Sequence, residues 1–357
     1  MKHDLMLCKT VYQLIVAIQM KLTILENQLV DIIISDELPN YIEVCSKLEQ
    51  TKIFDNVICA TTKLSKVSNG GLYNIPSLRN FELKKNINKF ELIKLKERYS
   101  NFYFANLGGV SIQIARFLLT YNPKINFYMF EDGVSSYSKI YGDEINKHSI
   151  NKSKGSKSSL IDKYIPNILG LLKGYYVFAP QIMVWKPLLC VNKIPQISRE
   201  DNRFKSTLDV LYNMNLLKDS YSETVIFFEE SYVADGIKVD DITIVDKLKQ
   251  QYGEKEVFIK THPRNSINRF ESLGCKTNRD KSIPWEAIAI NIDLTNKVLV
   301  SMTSTAVVSS FLLLNSSAKM ILAYDKLKNS NNNKRVLNSI EVIERIKTIY
   351  PDAFLDL

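Results

Sequence analysis

Three short stretches place reactive side chains where a strand gives way to a turn. In THPRN, His262 is followed at once by Pro263, which cannot donate a ladder hydrogen bond and keeps the residue before it extended. Strand pairing should stop there and leave the imidazole at the sheet's rim, able to give a proton to a leaving phosphate or to meet developing negative charge. In SMTSTAVVSSFLLL a hydroxyl-rich turn precedes an apolar helix, so Thr303, Ser304 and Thr305 occupy an N-terminus whose amides and dipole favour an anion. In FEDGV, Glu131 and Asp132 end an apolar run just before Gly133, and either carboxylate, with its pKa lifted by its surroundings, would serve as a general base on a hydroxyl. SIPWEAI sets Pro284 at a helix start and Glu286 in its first turn, where a carboxylate can accept two hydrogen bonds from a ribose diol. Singly, each has an ordinary alternative: a surface histidine before a turn, a capped helix, an acidic turn, a glutamate complementing a helix dipole.

The elements that must hold these residues alternate along the chain. Brief, β-branched or aromatic runs at 4–8, 30–35, 56–60, 101–106 and 125–130 read as buried strands, and 12–27, 40–49, 80–98 and 110–120 as helices between them; after GYYVFAP at 174–180 the pattern loosens. A proline-bearing segment, WKPLLCVNKIPQISRE, suits a connection between domains. The alternation then resumes with strands at 224–230, 256–260, 297–302 and 319–324 and helices at 240–252, 284–291, 305–314 and 338–348. This predicts an α/β protein of two similar halves, 1–185 and 186–357, each with a mostly parallel sheet. Ligands of such sheets bind beyond the carboxyl ends of the strands, where the stretches above fall.

A chain of 357 residues has room for two cores, and 45% hydrophobic with 24% charged residues excludes a disordered or fibrous class. The five cysteines are scattered and form no CxxC, which argues for reduced thiols without a zinc site or disulfide framework. No D-x-D triplet occurs and the three histidines are dispersed, so no metal is expected. The N-terminus is interrupted by Asp4, Lys9, Gln13 and Gln19, which predicts no signal peptide and a cytoplasmic protein, at most peripheral on the inner membrane's cytoplasmic face. The formal charge of +9 suits an acidic partner. Its lysine clusters, KLKER at 94–98 and NKSKGSKSS at 151–159, lack the interleaved aromatics of a nucleic-acid surface.

Taken in order, the carboxylate pair with Gly133, then His262-Pro263, then Glu286, then Thr303-Ser304 resemble the D/E-D/E-G, HP and hydroxyl-pair signatures of bacterial sialyltransferases. The strand running into CKTVYQL and the chain length are most similar to glycosyltransferase family 52, which contains lipooligosaccharide and capsule sialyltransferases. The resemblance implies a GT-B fold, two Rossmann-like domains facing across a deep cleft, with CMP-sialic acid held by the C-terminal half. It implies His262 on the CMP phosphate as general acid, Glu286 on the ribose, Thr303 and Ser304 on phosphate oxygens, and the Lys260–Pro263 backbone beside the cytosine. Glu131 or Asp132 would be the base, with Asp235 and Asp240 in reserve. The expected reaction is inverting, needs no metal or cofactor, and moves sialic acid to a hydroxyl of a terminal sugar, galactose first, of a lipooligosaccharide or capsular glycan. The family also suggests a homodimer. Two rival readings are transfer of another nucleotide sugar and a non-catalytic basic protein binding nucleic acid or anionic lipid.

Overall fold

The computed structural model describes residues 3–62, 76–92, 95, 99–153, 168–217, 219–236, 239–324 and 334–357. The KLKER cluster, Leu95 aside, and the lysine-rich stretch beyond Ser153 lie outside these residues. The chain forms two compact units, one of residues 1–132, 140–180 and 185–195 and the other of 133–139, 181–184 and 196–357.

The first unit is built on seven strands: β1 (His3–Cys8), β2 (Leu29–Ser35), β3 (Asn56–Ala60), β4 (Asn101–Phe104), β5 (Asn126–Phe130), β6 (Leu172–Val177) and β7 (Cys190–Lys193). They lie in the order β3-β2-β1-β4-β5-β6-β7, with every pairing parallel. The helices are α1 (Val11–Leu22), α2 (Tyr41–Thr51), α3 (Pro76–Lys89), α4 (Gly109–Tyr121) and α5 (Lys139–Ser153). β1 and β2 are buried almost end to end, as strands covered on both faces must be. Thr10 caps α1 by accepting the Gln13 amide at 3.2 Å, which fixes the turn leaving β1. In α5, Gly142 has a packing reason: a Cβ there would lie 2.0 Å from the Trp185 ring.

The second unit carries β8 (Val225–Phe228), β9 (Val257–Lys260), β10 (Lys276–Thr277), β11 (Val298–Ser301) and β12 (Lys319–Leu322), all parallel, in the order β10-β9-β8-β11-β12. Its helices are α6 (Asn202–Tyr212), α7 (Asp241–Tyr252), α8 (Trp285–Asn291), α9 (Thr305–Leu314) and α10 (Lys334–Ile349). Val225, Phe227, Ile259, Val300 and Ile321 form part of one buried cluster with Ile244 and Leu248 of α7. Each such side chain contributes roughly 1.5–3 kcal/mol by leaving water.

The predicted strands and most helices appear within a few residues of the expected limits. Elements that the sequence reading did not name include α5, β7, α6 and the two-residue β10, and the helix expected at 80–98 is α3, which ends at Lys89. The segment read as a connection contributes β7, an edge strand of the first sheet, and is followed by the helix α6. Asp201 nucleates α6 by accepting the Arg203 and Phe204 amides, and Phe204, Leu208 and Leu211 give it a buried stripe.

Candidate active site

In the second sheet the strand order reverses between β8 and β11, the place where ligands of such sheets bind. β8 leaves this point through Glu229 and Glu230, and β11 through Met302, Thr303 and Ser304. The neighbouring β9 ends at Lys260, two residues before His262.

Glu229 fixes the His-Pro turn. Its amide donates to the Lys260 carbonyl, and its buried carboxylate accepts the His262 amide at 3.0 Å and the Arg269 guanidinium at 2.9 Å. Arg269 also pairs with Asp241, and both carboxylates hold its pKa above the usual range. Thr261 donates its amide and hydroxyl to Asn278, at 2.7 and 2.8 Å. These contacts pin both sides of the histidine backbone. The imidazole Nδ1 accepts the Arg264 amide at 3.1 Å, so in the neutral ring the proton resides on Nε2. Pro263 is exposed. Lys260 is buried, its ammonium 3.4 Å from the Ile283 carbonyl. Burial lowers its pKa to about 8, against the opposing pull of Glu286, Asp219 and Asp280.

Glu286 stands in the first turn of α8, as its proline context predicts, and accepts the Ser309 hydroxyl at 2.9 Å. Burial raises its pKa, while its own amide, Ser309 and Lys260 pull the other way. Ser304 is the N-cap of α9: its hydroxyl accepts the Ala306 amide and its own amide donates to Ser301 Oγ at 2.9 Å. Thr303 is engaged by a residue the sequence reading did not single out. Its amide donates to one carboxylate oxygen of Glu230 and its hydroxyl to the other at 3.0 Å, with the Tyr232 hydroxyl 2.5 Å from Thr303 Oγ1. Burial raises the Glu230 pKa; the Thr303 and Tyr232 hydrogen bonds only partly offset it.

The acidic pair of the first unit leaves β5. Glu131 is fully buried, accepting the Tyr12 hydroxyl on Oε1 and the Phe178 amide at 2.9 Å on Oε2. Asp132 accepts the Gln13 side-chain amide at 2.8 Å. Burial raises its pKa, opposed by Gln13, Asn106 and Lys9. Gln13 also accepts the Lys9 amide at 2.8 Å, so the turn after β1 is tied to the carboxylate. The two acids thus differ: Glu131 supports backbone, whereas Asp132 meets neutral side-chain amides and feels the Lys9 charge. Gly133 has φ +77°, and a Cβ there would come within 2.9 Å of Thr305 Cγ2, so both torsion and space require glycine. The reserve carboxylates have structural employment. Asp235 accepts the Ser231 hydroxyl and pairs with Arg264, and Asp240 caps α7.

Lys260, His262, Pro263, Glu286, Thr303 and Ser304 therefore gather along the carboxyl edge of the second sheet, and Glu131 and Asp132 on that of the first. Missed by the sequence reading were Glu229, Glu230, Tyr232, Tyr12 and Gln13. The signal available was FEE at 228–230, which repeats the pattern of FED at 130–132.

A model of the family described as alpha-2,8-polysialyltransferase (POLYST) matches residues 4–323, spanning both sheets. This chain belongs to the POLYST family. It is thus a glycosyltransferase that carries out sialyl transfer, and as such takes a nucleotide-sugar donor and a glycan acceptor. The expectation of a sialyltransferase holds, and the family that the match names is POLYST. Among solved structures, this POLYST member is similar to an alpha/beta-galactoside alpha-2,3-sialyltransferase from Photobacterium phosphoreum, at 14% identity, with 99% of this chain and 98% of that one covered and a TM-score of 0.57. It is also similar to a UDP-GlcNAc 2-epimerase from Methanocaldococcus jannaschii, at 13% identity over 100% and 89% of the two chains, with a TM-score of 0.50. These likenesses are of fold, and the fold is the expected α/β GT-B type. No curated protein sequence matches the chain. No helix among the described residues is long and apolar enough to cross a membrane.

Proposed function

We propose that this POLYST member transfers sialic acid from CMP-sialic acid, with inversion and without a metal ion, to a hydroxyl of a glycan that itself ends in sialic acid, forming an α2,8 linkage. Asp132 removes the proton from the acceptor hydroxyl, whose oxygen bonds to the anomeric carbon of the donor. The bond from that carbon to the phosphate oxygen breaks, and the electron pair leaves on CMP. His262 donates a hydrogen bond from Nε2 to the departing oxyanion and stabilises its charge. Thr303 and Ser304 receive the other phosphate oxygens, Glu286 the ribose diol, and the backbone from Lys260 to Pro263 lies beside the base.

The observation that supports this reading most is the placement of His262, Glu286, Thr303 and Ser304 on the carboxyl edge of one sheet, flanking its β8/β11 reversal. Asp132 is preferred to Glu131 because the latter's oxygens already hold Tyr12 and a backbone amide, while burial tunes Asp132 toward proton acceptance. Neutralisation of the leaving group by amides, hydroxyls and an imidazole is consistent with a reaction indifferent to chelators.

The test is incubation with CMP-sialic acid and either a labelled α2,8-linked oligosialic acid or a lactoside, with EDTA present. Extension of the oligosialic acid alone, with product cut by an α2,8-specific sialidase, is expected. Extension of the lactoside alone would move the acceptor to galactose, and transfer from a UDP-hexose but not CMP-sialic acid would overturn the donor assignment.

A further inference from the structure

The seat assigned to the donor's phosphate is already filled by a carboxylate. Thr303 offers an amide and a hydroxyl at the strand-to-helix turn before α9, and both point to Glu230, one to each oxygen. Tyr232 closes the other side of the Thr303 hydroxyl, and Asn265 of the His-Pro turn donates to the Glu230 carbonyl at 3.1 Å. A planar carboxylate held by an amide and a hydroxyl presents two oxygens at the spacing of two phosphate oxygens, and the same donors serve either anion. They cannot serve both at full strength, and two anions sharing them would repel.

We propose that Glu230 occupies the phosphate seat of the free enzyme, and that the donor's phosphate binds by displacing it from Thr303. Glu230 is in this sense a residue that sets donor affinity: its charge competes with the phosphate for one amide and one hydroxyl. The inference rests on the assignment of Thr303 to the phosphate. Glu229, next in sequence, keeps its own carboxylate on His262 and Arg269, so Glu230 can swing away without releasing the His-Pro turn.

The experiment is equilibrium binding of CMP and of cytidine to the full chain as wild type, Glu230→Gln and Thr303→Val. Gln is isosteric and can satisfy Thr303 without carrying charge. Glu230→Gln is expected to bind CMP about tenfold more tightly than wild type, with cytidine affinity unchanged. In turnover it should lower KM for CMP-sialic acid with kcat little altered. Thr303→Val should weaken CMP and not cytidine. If Thr303→Val weakens CMP while Glu230→Gln binds it no better than wild type, the displacement idea fails and the phosphate seat stands. If Thr303→Val leaves CMP affinity unchanged, the seat itself is misassigned and both fall. Thermal melts of each variant identify any loss of fold, and Glu230→Ala, which removes charge and hydrogen bonds together, should also bind CMP more tightly than wild type if competition is the cause.

Discussion

The ends of β5 and β8 carry the same short sequence logic, Phe-Glu-Asp in one and Phe-Glu-Glu in the other. In both, the first carboxylate is buried and accepts a backbone amide from the neighbouring strand's exit: Glu131 from Phe178 beyond β6, Glu229 from His262 beyond β9. In both, burial raises the pKa of the second. They part in what the second acid touches. Asp132 meets the side-chain amides of Gln13 and Asn106, groups that can rotate to follow a change of charge. Glu230 meets a backbone amide at a helix start, a fixed donor suited to any anion. In the proposed mechanism one pattern thus serves as a proton acceptor in the first unit and as a competitor for phosphate in the second, and the partner of the outer acid makes the difference.

The comparison breaks most visibly at the outer acid of the first unit. Asp132→Asn should lower kcat for sialyl transfer about 1,000-fold, roughly 4 kcal/mol, because it removes a base and keeps the shape. Glu131→Gln should cost about tenfold through misplacement of its neighbours, and a reversed ranking in steady-state assays would make Glu131 the base. Because burial raises the Asp132 pKa, the acid limb of kcat/KM should lie above the ordinary aspartate range, activity rising with pH through it.

The inner acids should act on stability instead. Glu229→Ala leaves the His262 amide without this acceptor and takes from Arg269 one of its two carboxylate partners, and urea unfolding should register a loss of about 3 kcal/mol. Gly133→Ala forces φ +77° on a side chain that also meets Thr305, a loss of about 2 kcal/mol by the same measurement. The smallest effect is a gain. Glu230 has a folded pKa above its ordinary 4.5, so its burial costs nothing below pH 4.5 and costs progressively more as pH rises through the folded value. Glu230→Gln should therefore be more stable than wild type by on the order of 1 kcal/mol at neutral pH, with the two melts converging below pH 4.5.

Strands such as VDIIIS and TVIFFEE were legible because burial on both faces leaves a continuous apolar run. β7 was not, since an exposed edge strand has no such run, and Pro187 and Pro195 around it read as linker. α5 was hidden by Gly142 and a polar composition, its glycine being there to admit Trp185. At the site, positions at strand exits could be read from Pro263 and the hydroxyl turn at 303–305, because these are local backbone effects. Which oxygen holds which amide depends on contacts such as Glu131 to Phe178 and Glu230 to Thr303, separated by 47 and 73 positions, and a linear pattern carries no record of them.

The chain passes from one unit to the other after Asp132, Lys139, Pro180, Val184 and Pro195. No single cleavage point releases either half whole, because the strip 133–139, between β5 and β6, groups with the far portion of the polypeptide. Chimaeras meant to exchange acceptor preference between relatives must therefore be spliced at several junctions, and a polypeptide cut short near its midpoint would separate Gly133 to Lys139 from the body they complete.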